Sequence, residues 1–258
     1  MPVIRDTSER RQQITVQVRE RGSVQVALLA EQFGVSMQTI RKDLHYLAKR
    51  GVAERSYGGA IATDAVNVIA EPHIASKRAT LPQEKSRIGA AAAAMVLPGE
   101  SIVLDSGTTT LQIAHHLPDH EDITVLTNHL DIVTALAGKE RLKVVMLGGT
   151  LRRRNMTFYG AHAMAALDEL HVDRLFLGVD GFDFERGITT HYEPEALLNR
   201  KMVQAARRVV AVADHSKFGR VCLHRIISGA EIDDLVTDQA SEDLTLAAAR
   251  LGFNLHIA

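Results

Sequence analysis

Residues 22–60 read GSVQVALLAEQFGVSMQTIRKDLHYLAKRGVAERSYGGA, and the spacing of apolar residues within them decides the N-terminal fold. From Gln25 to Phe33, Val26, Leu29, Ala30 and Phe33 recur at three- and four-residue intervals, which predicts a short helix with one apolar face. Gly34 follows, and glycine enters the left-handed backbone region without steric cost, so the helix ends there in a tight turn. Ser36 offers a hydroxyl cap to a second helix whose buried stripe is Ile40, Leu44 and Leu47. Gln38, Thr39, Arg41, Lys42 and His45 remain on its outer side. Gly51 to Ala60 then reads as a short hairpin carrying Arg55 and Tyr57 ahead of the Gly58-Gly59 bend.

Two short helices, a turn and a basic hairpin make a winged helix-turn-helix, an arrangement that fits DNA. Arginine and glutamine hydrogen-bond base edges in the major groove, and Ser36, Thr39, Lys42 and His45 suit phosphate oxygens or groove edges. The plainer alternative is a two-helix packing motif with solvated charges. Charge distribution favours DNA: residues 1–60 hold ten Lys or Arg and six Asp or Glu, whereas the remaining 198 hold 20 and 25. A basic head on an acidic body suits a phosphate-binding module joined to something that should not adhere to DNA.

At 258 residues the chain accommodates a small and a medium domain, read here as 1–60, a linker over 61–80 that contains Pro72 and lacks a sustained period, and 81–258. The linker stretch also admits an extra strand or a docked helix. With 46% hydrophobic and 24% charged residues the composition is that of an ordinary soluble protein, and a single cysteine, Cys222, excludes an intramolecular disulfide. A cytoplasmic location is therefore expected. The longest apolar run, Gly89 to Leu97, is about half of the ~20 residues that a membrane span requires. Arg5 to Glu9 lead directly into a polar helix, so no secretory signal and no membrane partner are expected.

From Gln83 onward helix and strand patterns alternate. Apolar strands are expected at Ser101–Asp105, Ile123–Leu126, Leu142–Leu147, Leu175–Val179, Val209–Ala213, Leu235–Thr237 and Asn254–Ile257, with helices between them. Near-continuous apolar strands alternating with helices indicate an α/β fold with a mainly parallel sheet covered on both faces. Such sheets bind ligands beyond the carboxyl ends of their strands. The residues there are polar: Asp105, Ser106, Gly107, Thr108, Thr109 and Thr110 after the first strand, Asn128 after the second, Gly148, Gly149 and Arg152 after the third, Asp180, Gly181 and Asp183 after the fourth, and Lys217 after the fifth.

The Ser106–Thr110 loop has the means to cradle a phosphate, because glycine admits a ligand to the backbone, hydroxyls donate and the following helix presents free N–H groups. It is equally readable as a helix cap with no ligand, and it lacks the Gly-Lys-Ser/Thr of a nucleotide P-loop. Arg152 and Lys217 are either cationic partners of a sugar phosphate or surface charges, and the strand-end aspartates are either acceptors for sugar hydroxyls or Asx turns. The histidines, among them His115, His116, His162, His171, His191, His215 and His224, form no spacing typical of a metal site. No metal and no cofactor are expected.

Beyond these readings, GSVQV, LAEQFGVS, TIRKDL and YGGA resemble the DNA-binding domain of the DeoR family of bacterial sugar-metabolism repressors. LDSGTTT, LTN, LGGTLR, LFLGVDG and VADHSKFGR resemble that family's effector domain in order and spacing. The resemblance implies a homo-oligomeric repressor, a dimer or tetramer, that binds operator DNA and is released by a phosphorylated sugar. RRRNMTFYG, RGITTHYEPEALLNRKM and DHSKFGRVCLHRII look most like the subgroup controlling N-acetylgalactosamine and galactosamine use, which makes an amino-sugar phosphate or its ketose product the leading effector. The chain departs from the family at Lys42 and Tyr57, where arginine and histidine are common. Lysine lacks the bidentate fork, so Lys42 is expected on phosphate, leaving Gln38 and Arg41 to read bases.

The effector domain is also similar to ribose phosphate isomerase, which supplies the rival reading of a sugar-phosphate isomerase with an accessory DNA-binding domain. Isomerisation needs a general base, and the helix that carries a glutamate in that enzyme reads Ala196-Leu197-Leu198-Asn199-Arg200-Lys201 here. Arginine cannot take the proton, which favours a retained sugar site without the chemistry, although Glu195 is close by.

Overall fold

The apolar stripes of residues 26–47 meet across one small core. The computed structural model describes residues 7–21, 23–49, 53–56, 59–62, 71–72, 74–119 and 122–258, and the chain divides between Glu71 and Pro72 into two units. In the first, helices Thr7–Arg21, Val26–Phe33 and Met37–Lys49 enclose Ile14, Val24, Val26, Leu29, Ala30, Phe33, Ile40, Leu44 and Leu47. Gly34 turns the chain at φ +63°, and the N–H of Val35 reaches back to the carbonyl of Ala30 at 3.1 Å. Ser36 Oγ accepts the N–H of Thr39 at 3.1 Å, capping the third helix.

The hairpin strands Ala53–Ser56 and Gly59–Ala62 pair antiparallel, and Ser23–Gln25 adds a third strand against Gly59–Ala62. Gln25 thus ends a strand rather than starting a helix. The first helix contributes something the pattern does not announce. Asp43, on the inner side of the third helix, accepts Arg10 Nε and Arg11 Nε, each at 2.7 Å. Asp43 and Arg10 are buried, and the Arg11 guanidinium also lies over the Tyr46 ring at 3.9 Å. A buried carboxylate between two guanidiniums fixes the third helix to the first.

The second unit is a seven-stranded sheet in the order Asn254–Ile257, Asp234–Thr237, Val209–Val212, Arg174–Gly178, Ser101–Leu104, Thr124–Thr127, Lys143–Met146, with every pairing parallel. Side-chain alternation divides the core between its two faces. Val103, Leu175, Leu177, Val209 and Ala211 pack beneath helices Ala161–Asp168, Glu193–Ala205 and Glu242–Leu251. Ile102, Leu104, Phe176, Val210 and Val212 pack beneath Pro82–Ala93, Thr108–His116 and Leu130–Leu136. The expected strands all occur, with ends moved by a residue or so.

Two elements go beyond the sequence reading, and a third is the docked helix admitted for the linker stretch. Thr150–Arg152 and Thr157–Tyr159 form a two-stranded arm; Gly181–Asp183, Gly187–Thr190 and His224–Ile227 form a small antiparallel sheet. A six-residue helix, Ile74–Ala79, occupies the second half of the segment read as a linker and belongs to the second unit. Residues 63–70 and 73 of that segment lie outside the described residues.

Because removing one partner of a buried ion pair leaves a desolvated charge, Asp43→Ala should destabilise the N-terminal unit by about 3–5 kcal/mol. Calorimetry of the full chain should show the N-terminal unit's transition falling while the transition of the C-terminal unit stays in place. An unchanged N-terminal transition would mean that Asp43 is not the tie.

Candidate functional site

On the third helix, Gln38, Arg41, Lys42 and His45 are exposed and recur at three- and four-residue spacing, so they share one outer face. Ser36 and Thr39 stand at its start, their hydroxyls 2.9 Å apart, and the Ser36 side chain is used as the cap. Met37, 52% exposed, stands beside them, a large apolar side chain whose exposure the apolar spacing could not reveal. Arg55 lies on the strand Ala53–Ser56, and Tyr57 lies outside the described residues.

In the second unit a cavity opens where the sheet order reverses, between strands Ser101–Leu104 and Arg174–Gly178. It is lined by Asp105, Ser106, Gly107, Thr108 and Thr109 from the loop after the first of these strands and by Gly178, Val179 and Asp180 from the end of the second. Glu195 and Lys217 complete the part anticipated from sequence. No side chain caps the helix that begins at Thr108, so its first-turn N–H groups are left to whatever enters the cavity.

Thr110, Asn128, Gly148, Gly149, Arg152 and Gly181 do not line it. The Thr110 hydroxyl is turned back to the carbonyl of Gly107, and Asn128 Nδ2 donates to the carbonyl of Phe158. Gly148 and Gly149 lead into the two-stranded arm. A Cβ on Gly181 would stand 2.7 Å from the Arg220 carbonyl, so this glycine serves close backbone packing. Arg152 acts at one remove: its guanidinium donates to Glu195 Oε1 at 3.0 Å and lies 4.1 Å from the centre of the Tyr192 ring. Glu195 Oε1 also accepts Asn155 Nδ2 at 2.5 Å and Thr157 Oγ1 at 3.2 Å. Arg200 is exposed and outside the cavity, donating to the carbonyls of Arg225 and Ile226.

Lining residues that the strand-end reading missed are Ile74, Lys77, His129, Asn155, Thr157, Thr190 and Asn199. Some left a trace. Asn199 is four residues from Glu195 on a helix face otherwise buried as Ala196, Leu198 and Met202, and a polar pair on an apolar face is a signal. Lys77 left none, because a six-residue helix is too short to show a period.

Lys77 Nζ meets Asp180 Oδ1 at 2.6 Å, and Asp180 Oδ2 accepts the Thr190 hydroxyl at 3.1 Å. Burial alone would raise the Asp180 carboxyl, but Lys77, His191 and Lys217 outweigh it and hold the group well below the usual carboxylate range. Lys85, itself buried, donates to the carbonyls of Lys77 at 2.5 Å and Thr80 at 2.6 Å, holding the C-terminal end of the helix that carries Lys77. Desolvation lowers Lys85 to about 8 despite Asp214, whose Oδ2 is 4.0 Å away.

Asp105 behaves in the opposite way. It is 2% exposed, its Oδ2 accepts the N–H of Gly178 at 3.2 Å and Nδ2 of Asn199 at 3.3 Å, and burial pushes its carboxyl up to about 8. The cavity encloses about 50 Å³. That is room for roughly three or four water molecules. Among the described residues no cluster of three His, Cys, Asp or Glu is placed to hold a metal, and no helix is long and apolar enough to cross a membrane.

Comparison with known proteins bears on both units. A family model described as the DeoR-like helix-turn-helix domain matches residues 10–66, and one described as the DeoR C-terminal sensor domain matches residues 81–239. The chain is 45% identical, over 90% of its length and 87% of the relative's, to an Escherichia coli O157:H7 protein whose name assigns it to repression of the aga operon. It is 33% identical, over 86% of each chain, to the glycerol-3-phosphate regulon repressor of Escherichia coli K12. Among solved structures, ribose 5-phosphate isomerase A from Neisseria gonorrhoeae aligns with 53% of each chain at 17% identity and a TM-score of 0.39.

The two aspartates predict a pH signature. A carboxyl raised in the folded state contributes stability that is present below its unfolded pKa of about 4 and lost as pH rises towards the folded value. For Asp105 the window therefore runs up to about 8. His129, which burial lowers to about 4, changes stability in the opposite sense up to about 6.5, so Asp105 stands clear of it above that pH. Between pH 6.5 and 8 the melting temperature of the C-terminal unit should fall in the parent and hold level in Asp105→Asn. Parallel curves would place the Asp105 carboxyl in the ordinary range.

Proposed function

The chain belongs to the DeoR family of transcriptional regulators, and we propose that it represses a sugar or amino-sugar catabolic operon and leaves its operator when a phosphorylated sugar enters the C-terminal cavity. The DNA half rests on Arg41 and Gln38 reading base edges from the outer face of the third helix, with Lys42 and Thr39 on phosphates. Ser36, His45, Arg55 and Tyr57 are assigned supporting contacts at the helix start, its flank and the wing. Binding as a homo-oligomer would match two such helices to two half-sites.

The effector half rests on one observation: a cavity at the sheet's reversal point holds Lys77 and Lys217 beside an uncapped helix start. Two ammonium groups and free N–H groups form an anion site, and the surrounding Thr108, Thr109, Thr157, Thr190 and Asn199 suit hydroxyls. One relative's name carries a phosphate ester, glycerol 3-phosphate, and this chemistry agrees with it. We assign no turnover. Glu195 Oε1 is occupied by three donors, and Arg200 lies outside the cavity.

A phosphate entering the cavity meets Lys77 on helix Ile74–Ala79, which forms part of its wall. Helix Ile74–Ala79 buries no residue fully and is tied by the polar contacts Lys77–Asp180, Arg78–Asp131 and Lys85 to its carbonyls. It begins three residues past the junction of the two units. A phosphate that draws Lys77 from Asp180 would therefore act on the chain segment leading to the DNA-binding unit, giving the ligand different affinities for the DNA-competent and DNA-incompetent states.

A thermal-shift series with sugar phosphates tests both halves. A matching ligand at a hundred times its Kd should stabilise the C-terminal unit by about 2.7 kcal/mol. Arg41→Ala should keep that shift while losing the gel shift of the operator, and Lys217→Ala should keep the gel shift while losing most of the thermal shift. A chain in which Arg41→Ala still retards its operator, or in which no sugar phosphate raises the melting temperature, contradicts the corresponding half.

A further inference from the structure

Cavity-lining groups are of two kinds. Lys77 and Lys217 carry positive charge and answer to a phosphate, and Asp180 pairs with Lys77. Asp105, His129 and Asn199 instead present buried atoms that nothing satisfies: Oδ1 of Asp105, both ring nitrogens of His129 and Oδ1 of Asn199 have no hydrogen-bond partner among the described residues. Asn199 cannot turn inward to cure this, because its Nδ2 is committed to Asp105 Oδ2 at 3.3 Å.

His129 is the most telling of the three. It is wholly buried, directly follows the strand-end pair Thr127-Asn128 and precedes helix Leu130–Leu136, with its backbone N–H donated to Thr127 Oγ1 at 3.2 Å. Asp131 Oδ2 stands 3.8 Å from Nε2, beyond hydrogen-bond distance, and that same oxygen is taken by Arg78. Burial depresses the imidazole to about 4 against the pull of Asp131 and of the nearby Asn155 backbone, with Arg78 adding to the depression. The ring is therefore neutral near pH 7, with one nitrogen able to donate and the other to accept. A buried polar ring without partners costs free energy that leucine in its place would avoid. The cost is recovered if a ligand supplies the partner.

We propose that His129 is a specificity-determining residue, whose ring hydrogen-bonds a hydroxyl of the bound sugar and so distinguishes sugars that carry the same phosphate. This rests on the sensor reading above. Lys77 and Lys217 attract any phosphate ester alike, and discrimination falls to the uncharged groups. A site built to hydrogen-bond a hydroxyl rejects the analogue lacking it, because its own buried polar atom is then left unpaired. Asn199 Oδ1, an acceptor in the same cavity, is available to a second hydroxyl.

The test is isothermal titration of the full chain with inorganic phosphate and with hexose 6-phosphates that include epimers and single deoxy analogues. The parent should prefer one sugar over its deoxy analogue. His129→Leu should weaken that sugar about tenfold while leaving the analogue and inorganic phosphate unchanged. His129→Gln, which keeps a donor and an acceptor, should restore part of the preference, and it decides the matter if the leucine variant does not fold. Variants that melt like the parent and keep its preference ratios overturn the proposal and leave the sensor reading standing. Equal weakening of every ligand, phosphate included, also overturns it, since that marks a structural role. If no phosphorylated sugar binds the parent, the sensor reading fails and the proposal falls with it.

Discussion

The ion pair between Lys77 and Asp180 is the contact on which the C-terminal site depends. Asp180 follows the central strand Arg174–Gly178 with most of its side chain out of water, and a carboxylate there needs a cation. Lys77 supplies it from a helix of six residues, too short to be stable alone and burying no apolar side chain of its own. Polar ties therefore decide whether that helix stays: Lys77 to Asp180, Arg78 to Asp131, and its terminal carbonyls to the buried ammonium of Lys85. Remove the first and little but the second and third remains. Under the proposed sensor function, an incoming phosphate would compete with Asp180 for the Lys77 charge.

The N-terminal unit uses a buried carboxylate for the opposite purpose. Asp43 sits buried between two arginines from another helix at 2.7 Å each, so the pair fixes the third helix rather than leaving it movable. The outer face with Gln38, Arg41, Lys42 and His45 is thereby presented from a rigid base. Fixity suits a surface that reads an invariant groove, and a polar, weakly packed helix suits a gate.

Legibility in the sequence followed burial and period. Stripes such as Val26, Leu29, Ala30 and Phe33, or strands such as Leu175 to Val179, are set by one-dimensional spacing, and both cores were readable from them. Cavity-lining residues at strand ends, Asp105 to Thr109 and Asp180, are readable because a parallel sheet leaves its clefts there. The remainder depended on tertiary pairing that leaves no periodic mark. Lys77 arrives from a stretch that reads as a linker, Asn155 and Thr157 come from a two-stranded arm with three residues a side, and Asp43 looks like one more charge on a polar helix until Arg10 and Arg11 are placed against it. Arg152 and Gly181 were misjudged in role rather than in region: one orients Glu195 from outside the cavity, and the other permits backbone contact.

If the cavity governs the DNA-binding unit through the helix held by Lys77, occupancy and release must go together. The most direct measurement is the fluorescence anisotropy of a labelled operator duplex bound to the full chain, titrated with a phosphorylated sugar already shown to fill the cavity. The anisotropy should fall to the value of free DNA over the concentration range that saturates the cavity. A sugar phosphate that saturates the cavity and leaves the anisotropy unchanged would contradict the coupling.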